Sequence, residues 1–226
     1  MPPILPRYTH IINPKLKHTY LGFDQEGELV IKSPGISSAH IESLLLKKAA
    51  WIRKSQEKLS KKKGRLPSPP APGALLYFLG KPYPLEMKQE TRKHISFAFD
   101  DTRFLMRYHA FNPELMQKHI DRFYKKEAEC KIPPLVEKYG EQMGVDPEKI
   151  KFRKTKRQWG SCSSKNILSF NTMLMKLPPK VIEYVVVHEL AHIIHKHHRK
   201  AFWELVEQHL PDYRERRRIL REYSTL

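Results

Sequence analysis

The stretch Val181-Ile-Glu-Tyr-Val-Val-Val-His-Glu-Leu-Ala-His-Ile-Ile-His-Lys-His-His198 decides how this 226-residue chain is read. Val181, Ile182, Val185, Val186, Val187, Leu190, Ile193 and Ile194 place apolar groups almost all round a helix, and such a helix is buried. His188 and His192 are four residues apart, so both imidazoles stand on one helix face, one above the other. Both reach one Zn²⁺ at about 2.0–2.1 Å. Glu189 reaches the edge of the same site and is placed to take a proton from a water that the metal activates, not to bind the metal. The competing reading is a buried helix with stray histidines. Two histidines and a glutamate inside an apolar helix need partners, because unpaired buried polar groups cost several kcal/mol. A metal ion supplies them.

A catalytic zinc takes three protein ligands and keeps one open position. His198 lies six residues beyond His192, which a straight helix would carry up by about 9 Å. The helix must therefore stop and the chain turn back if His198 is to be the third ligand. No glycine occurs between Ile193 and Arg199. The turn then calls for a non-glycine residue with positive φ, and His195 or His197 is the candidate. His195 and His197 otherwise read as solvated or as supporting the site from behind, with either one an alternative ligand.

Outward from this helix, Pro178-Pro179 opens it, and two extended stretches precede it. Residues 150–159 alternate and residues 167–174 look extended, with Gly160 to Asn166 joining them, so the pair reads as a hairpin. Asn112-Pro113-Glu114 starts a helix, with Asn112 as cap and Pro113 at its first position. Pro133-Pro134 kinks or restarts that helix, and Gly144 caps its end. Residues 75–108 hold short strands and turns and read as a small antiparallel sheet. The segment Pro67 to Gly73 reads as a linker or long loop. Residues 1–35 read as strands and turns, and Ser37-Ser38 caps a helix carrying Ile41, Leu44, Leu45, Trp51 and Ile52. The expected organisation is α+β: an N-terminal mixed region over 1–110, then a hydrolase domain over 111–226.

Composition sets the remaining bounds. Hydrophobic residues make up 40% and charged residues 29%, as in a globular protein. No apolar run approaches the roughly 20 residues of a membrane-spanning helix. The beginning MPPILPRYTH lacks the order of a signal peptide, so a cytoplasmic protein is expected. Cys130 and Cys162 form no CxxC pair and read as free thiols, and Cys162 lacks an identifiable base that would make it a nucleophile. The net charge of +18, clustered at Lys61-Lys62-Lys63-Arg65, Lys151 to Arg157 and Arg214 to Arg221, would attract nucleotides or nucleic acid.

Five motifs occur together: WGSCSS (159–164), a strand ending in FN (170–171), PPxVIxYVVVHELAH (178–192), HxxxFW (198–203) and PDYRERR (211–217). Together they resemble the YgjP-like metal-dependent hydrolases, relatives of the WLM and SprT-like minimal zincins. The likeness is close over the last 70 or so residues and looser before them, where it includes Trp51-Ile52 and Leu79-Gly80-Lys81. It implies a minimal zincin fold in the C-terminal domain, peptidase activity, His188, His192 and His198 as zinc ligands and Glu189 as base. The metzincin pattern has glycine where this chain has His195. The YgjP-like pattern commonly has Asn at His197, which fits a left-handed turn there. In zincins an edge strand beside the metal helix binds extended substrate by strand addition. Leu168 to Asn171 is the expected edge, with Arg157, Trp159, Ser161, Ser163 and Asn171 as candidate substrate contacts. The competing reading makes the WGSCSS loop a structural turn with Trp159 in the core. Phe202 and Trp203 are expected to pack the following helix on the zinc helix, and the arginine-rich end to form a solvated face.

The expectation is a metallopeptidase using one Zn²⁺, or another divalent metal, on a peptide or protein substrate, including one bound to DNA. The alternatives are a phosphohydrolase (pyrophosphatase) acting on nucleoside triphosphates, and a nucleic-acid-binding protein whose zinc is structural. A fourth strong ligand would mark the last of these.

Overall fold

The computed structural model describes residues 6–24, 28–60, 63–64, 69–223 and 225. The first five residues, Gly27, Lys61, Lys62, Arg65 and the Pro67-Ser68 start of the expected linker lie outside the described residues. The chain divides into two compact units, Met1–Lys62 and Lys63–Leu226, and not at residue 110. The expected boundary fails because Leu76, Phe78, Leu85 and Phe104 share one buried core with Met116, Ile120, Leu168 and Val186. A division at 110 would cut through that core.

In the first unit, β3 (Leu29–Ser33) lies between β1 (Tyr8–Ile12), which is parallel to it, and β2 (Tyr20–Phe23), which is antiparallel. Helix α1 (Ser38–Ser60) begins where Ser37 accepts a hydrogen bond from the His40 amide at 3.3 Å. Leu29 and Ile31 from β3 and Ile41, Leu45 and Ile52 from α1 form its core.

The second unit opens with β4 (Leu75–Phe78), β5 (Lys81–Gln89), β6 (Ser96–Phe99) and β7 (Phe104–Tyr108), in the order β4-β5-β7-β6. The sheet is mixed, not antiparallel throughout, because β5 and β7 run parallel. Leu79 (φ 48°) and Gly80 (φ 85°) make the tight turn between β4 and β5. A side chain at Gly80 would meet the Pro178 backbone at 2.9 Å, so the turn fits only as glycine against the start of the histidine helix.

Helix α2 (Pro113–Met143) is capped by Asn112, whose side chain accepts from the Leu115 amide, and by Gly144 at φ 66°. It runs through Pro133-Pro134 as one helix. Met116, Ile120, Tyr124, Ala128, Ile132 and Val136, each four residues from the last, bury a single stripe on its face.

Strands β8 (Lys149–Arg153), β9 (Gly160–Cys162) and β10 (Ile167–Asn171) form a sheet in the order β8-β10-β9. The expected hairpin is corrected here. Its first arm is only Gly160–Cys162, and residues 149–153 pair with β10 in parallel. A 3₁₀ turn (Thr172–Lys176) leads to α3 (Pro179–Ile194), α4 (Lys200–His209) and α5 (Tyr213–Leu220). No described helix is long and apolar enough to cross a membrane.

Candidate metal centre and substrate edge

Helix α3 is apolar on nearly every side, and Val181, Val186, Val187, Leu190 and Ala191 are fully buried. That burial fixes its rotation, so His188 and His192 emerge on one face. The chain leaves α3 at His195, in extended conformation (φ −120°, ψ 102°), and returns before α4. No described residue between 193 and 199 has positive φ, so the left-handed turn expected at His195 or His197 is absent. Hydrogen bonds make the turn instead. The His195 carbonyl accepts from His192 Nδ1 at 3.0 Å, and Lys196 Nζ donates to Asn166 Oδ1 at 2.6 Å and to the Ser163 carbonyl at 3.2 Å.

This turn brings His198 back over the first two histidines. His198 Nε2 lies 3.1 Å from both His188 Nε2 and His192 Nε2, and one ligand atom from each of the three residues falls within 4.8 Å of the others. Ligands about 2.0–2.1 Å from a tetrahedral ion stand about 3.3 Å apart, so the spacing suits a cation. The ring chemistry agrees. A carbonyl can only accept, so His192 carries its proton on Nδ1 and presents the Nε2 lone pair to the cluster. Burial first, then the neighbouring His192 and His198, pushes His188 down to about 3 and keeps it neutral. Burial likewise lowers His192. Neutral imidazole is the form that binds metal. His188 Nδ1 is the one buried side-chain polar atom without a hydrogen-bond partner among the described residues. Among those residues no fourth His, Cys, Asp or Glu joins the cluster, which leaves one coordination position open.

The aromatic pair after His198 supports the centre directly. Phe202 is fully buried, with its ring centroid 4.6–4.9 Å from those of all three histidines. Trp203 stacks on His198 at 5.6 Å and donates its indole N–H to the His198 carbonyl at 3.2 Å. Sequence reasoning assigned both residues to packing between helices. Their place behind the three histidines was legible only as the short spacing to His198.

Glu189 is 5% exposed, and burial raises its carboxyl to about 8. Its side chain lies against the backbone of Gly160 in β9. A Cβ at that position would stand 2.5 Å from Glu189 Oε1. Glycine is thus the residue that lets the carboxylate and the strand approach so closely. Strand β9 is also an edge of its sheet among the described residues, because Leu168 to Asn171 lies between β8 and β9. The expected edge is therefore one strand further out, within WGSCSS itself. Asn171 N donates to the Trp159 carbonyl and Ser163 N to the Ile167 carbonyl. With Ser161 opposite Ser169 in that register, residues 159, 161 and 163 bond inward, and the amides and carbonyls of Gly160 and Cys162 face outward.

Beside His188 and Glu189 lies a cavity of about 270 Å³, walled by Trp159, Gly160, Tyr184, Val185, Arg217, Leu220 and Arg221. The sequence profile of the YgjP-like metallopeptidase domain matches residues 17–223. The chain belongs to the YgjP-like family. The crystal structure of abylysin, a metallopeptidase zymogen from Pyrococcus abyssi, is similar with a TM-score of 0.37 and 23% identity, over 39% of this chain and 91% of that one. No curated protein matches the chain. As a YgjP-like metallopeptidase it is a hydrolase of peptide or protein substrates that works with a divalent metal.

The remaining candidate residues of this YgjP-like chain have distinct places. Trp159 lines the cavity. Ser161 Oγ accepts from Arg153 at 3.3 Å, and Ser163 Oγ accepts from the Ile167 amide at 3.1 Å, so both hydroxyls serve the sheet and its turn. Asn171 is 1% exposed and ties Thr155, Gln158 and Met173 together. It anchors the loop before β9 and touches no open surface. Arg157 is exposed and does not line the cavity. Gly160, Lys196, Arg217 and Arg221 were missed as site residues. Only the glycine, set between tryptophan and serine, was a signal in the sequence.

Proposed function

We propose that this chain is a zinc peptidase in which His188, His192 and His198 hold one Zn²⁺ and Glu189 is the general base. The observation that carries the reading is the convergence of three imidazole nitrogens beside the buried Glu189 carboxyl at a free strand edge. A Zn²⁺ held by His188, His192 and His198 would supply a Lewis acid able to polarise a scissile carbonyl and to lower the pKa of a water towards about 7. Everything else falls to the chain's own residues. The outward amides and carbonyls of Gly160 and Cys162 pair with an extended peptide and hold its scissile bond against the site. Glu189 takes the nucleophile's proton on its carboxylate and returns it to the leaving amine. Phe202 closes the inner side of the centre and excludes water there.

The structural-zinc reading lacks a fourth protein ligand among the described residues. Hydrolysis of nucleoside triphosphates is the other arm of the experiment. Purified protein of known metal content is assayed on unfolded protein and on nucleoside triphosphates, with Glu189→Gln as control. Zinc at one equivalent and peptide cleavage lost at least 10²-fold in Glu189→Gln, with zinc retained, is the expected result. Glu189-dependent phosphate release without peptide cleavage refutes the peptidase reading.

A further inference from the structure

Helix α5 carries five arginines within or just beyond it, and they divide into two groups. Arg214 pairs with Glu207 at 3.1 Å. Arg216 pairs with Glu183 at 2.7 Å and Asp212 at 2.8 Å, and Arg218 with Glu215 at 2.6 Å and Glu222 at 3.1 Å. Arg217 and Arg221 pair with no carboxylate among the described residues, although acids stand on either side of them in the sequence. These two, four apart on one helix face, are the two that line the cavity beside His188 and Glu189. Glu189 is the one acid in that lining. Of the expected solvated face, three arginines are thus neutralised by acids and two line the site uncompensated.

Arg217 is also held in place. Its guanidinium lies 4.7 Å from the Trp203 ring centroid, and Trp203 stacks on both His198 and Tyr213. A guanidinium fixed on an aromatic face loses little further freedom when it binds a carboxylate. Trp159, Val185 and Leu220 give the cavity apolar walls that suit the methylenes of a side chain. At about 270 Å³ it is smaller than the range of about 300–1,000 Å³ typical of drug-sized ligand sites, so it holds one residue's side chain or a chain end.

We propose that this cavity is a carboxylate subsite, and that the enzyme selects peptides presenting an acidic side chain or a free C-terminal carboxylate next to the cleaved bond. The proposal rests on the peptidase reading above and names the substrate class of that same site.

The test uses matched peptides with Glu, Gln or Leu beside the cleaved bond, each with a free or an amidated C-terminus. Glu over Gln, or free acid over amide, by about tenfold in kcat/KM, expressed through KM, is expected, as an Arg–carboxylate bond implies. Loss of the preference on amidation assigns the carboxylate to the chain end, and its persistence assigns it to the side chain. Arg217→Gln and Arg221→Gln should each lower that ratio, and Arg221→Glu should lower it further. Arg214→Gln, altered outside the cavity, should leave the ratio unchanged. Binding is read separately by calorimetry on the Glu189→Gln protein with the same peptides. If the native protein cleaves none of the peptides but this variant binds the acidic ones about tenfold tighter, dependent on Arg217, the subsite stands and the peptidase reading falls. Equal binding and equal cleavage of Glu and Gln, acid and amide, overturn the subsite. Arg217-dependent binding of a nucleoside triphosphate with no binding of acidic peptides overturns it as well.

Discussion

Trp203 and Lys176 show how individual residues sustain the centre and the fold. Trp203 fixes the backbone carbonyl of His198 with a single N–H and fixes its ring by stacking. Trp203→Phe keeps the stack and removes the hydrogen bond. Groups that orient metal ligands contribute about 10–100-fold to affinity. The variant should therefore bind zinc about tenfold more weakly in a competitive chelator titration, with its circular dichroism unchanged. Lys176 is a different case, an ammonium with no exposed surface. Burial chiefly, with nearby Lys154, lowers its pKa to about 7, while an unfolded lysine titrates near 10.4. Between those values the unfolded chain binds more protons, so this group makes stability rise with pH from about 7 to about 10. Lys176→Met should flatten that slope by up to about 1.4 kcal/mol per pH unit, measured by urea unfolding at a series of pH values. An unchanged slope would mean that Lys176 keeps its proton throughout.

Among the elements, β9 has the largest role for its size. It has three residues, one paired side and one free side. If substrate adds to that free side, peptides N-methylated at the amide that faces β9 should lose most of their cleavage, while methylation one residue away should matter little. A scan of singly N-methylated peptides by mass spectrometry would show an alternating pattern, and a flat scan would remove β9 from substrate binding. The helix behind the centre was legible from residues 181–194, because a four-residue histidine spacing inside an unbroken apolar helix has few other meanings. The caps Asn112 and Gly144 were legible for the same local reason. The sheet order was not. Strands β8 and β10 pair in parallel across a long connection, and nothing local in either strand records its partner. The turn before His198 was misread because glycine's absence suggested a strained residue. Contacts from Lys196 to Ser163 and Asn166, thirty or more residues away, hold it instead.

Across the whole molecule, every residue of the centre, its cavity and its edge strand falls within the second unit, Lys63–Leu226. That unit has its own core, built from the four-stranded sheet, α2, α3 and the elements around them. A chain beginning at residue 63 should therefore fold by itself, unfold in one cooperative transition and bind zinc with the affinity of the longer protein. Calorimetry and metal analysis would check this, and a truncated chain that failed to fold would show that the unit depends on residues before it. The net charge of +18 is also unevenly disposed. On α5 the arginines away from the cavity carry their own acids, and the two at the cavity do not.

The contact between Gly160 and Glu189 also makes two positions in the gene depend on each other. Space that any other residue would fill at 160 is already taken by the carboxylate of 189. Gly160→Ala should cost most of the activity, and Glu189→Asp, one methylene shorter, should also be damaging alone. Together they should be no better than Gly160→Ala alone, because the Cγ that aspartate keeps already stands 2.7 Å from the added methyl. Selection for revertants of Gly160→Ala should then return glycine at 160 and not substitutions at 189, because the general base has no substitute. A random scatter of revertants would mean that the strand simply shifts aside.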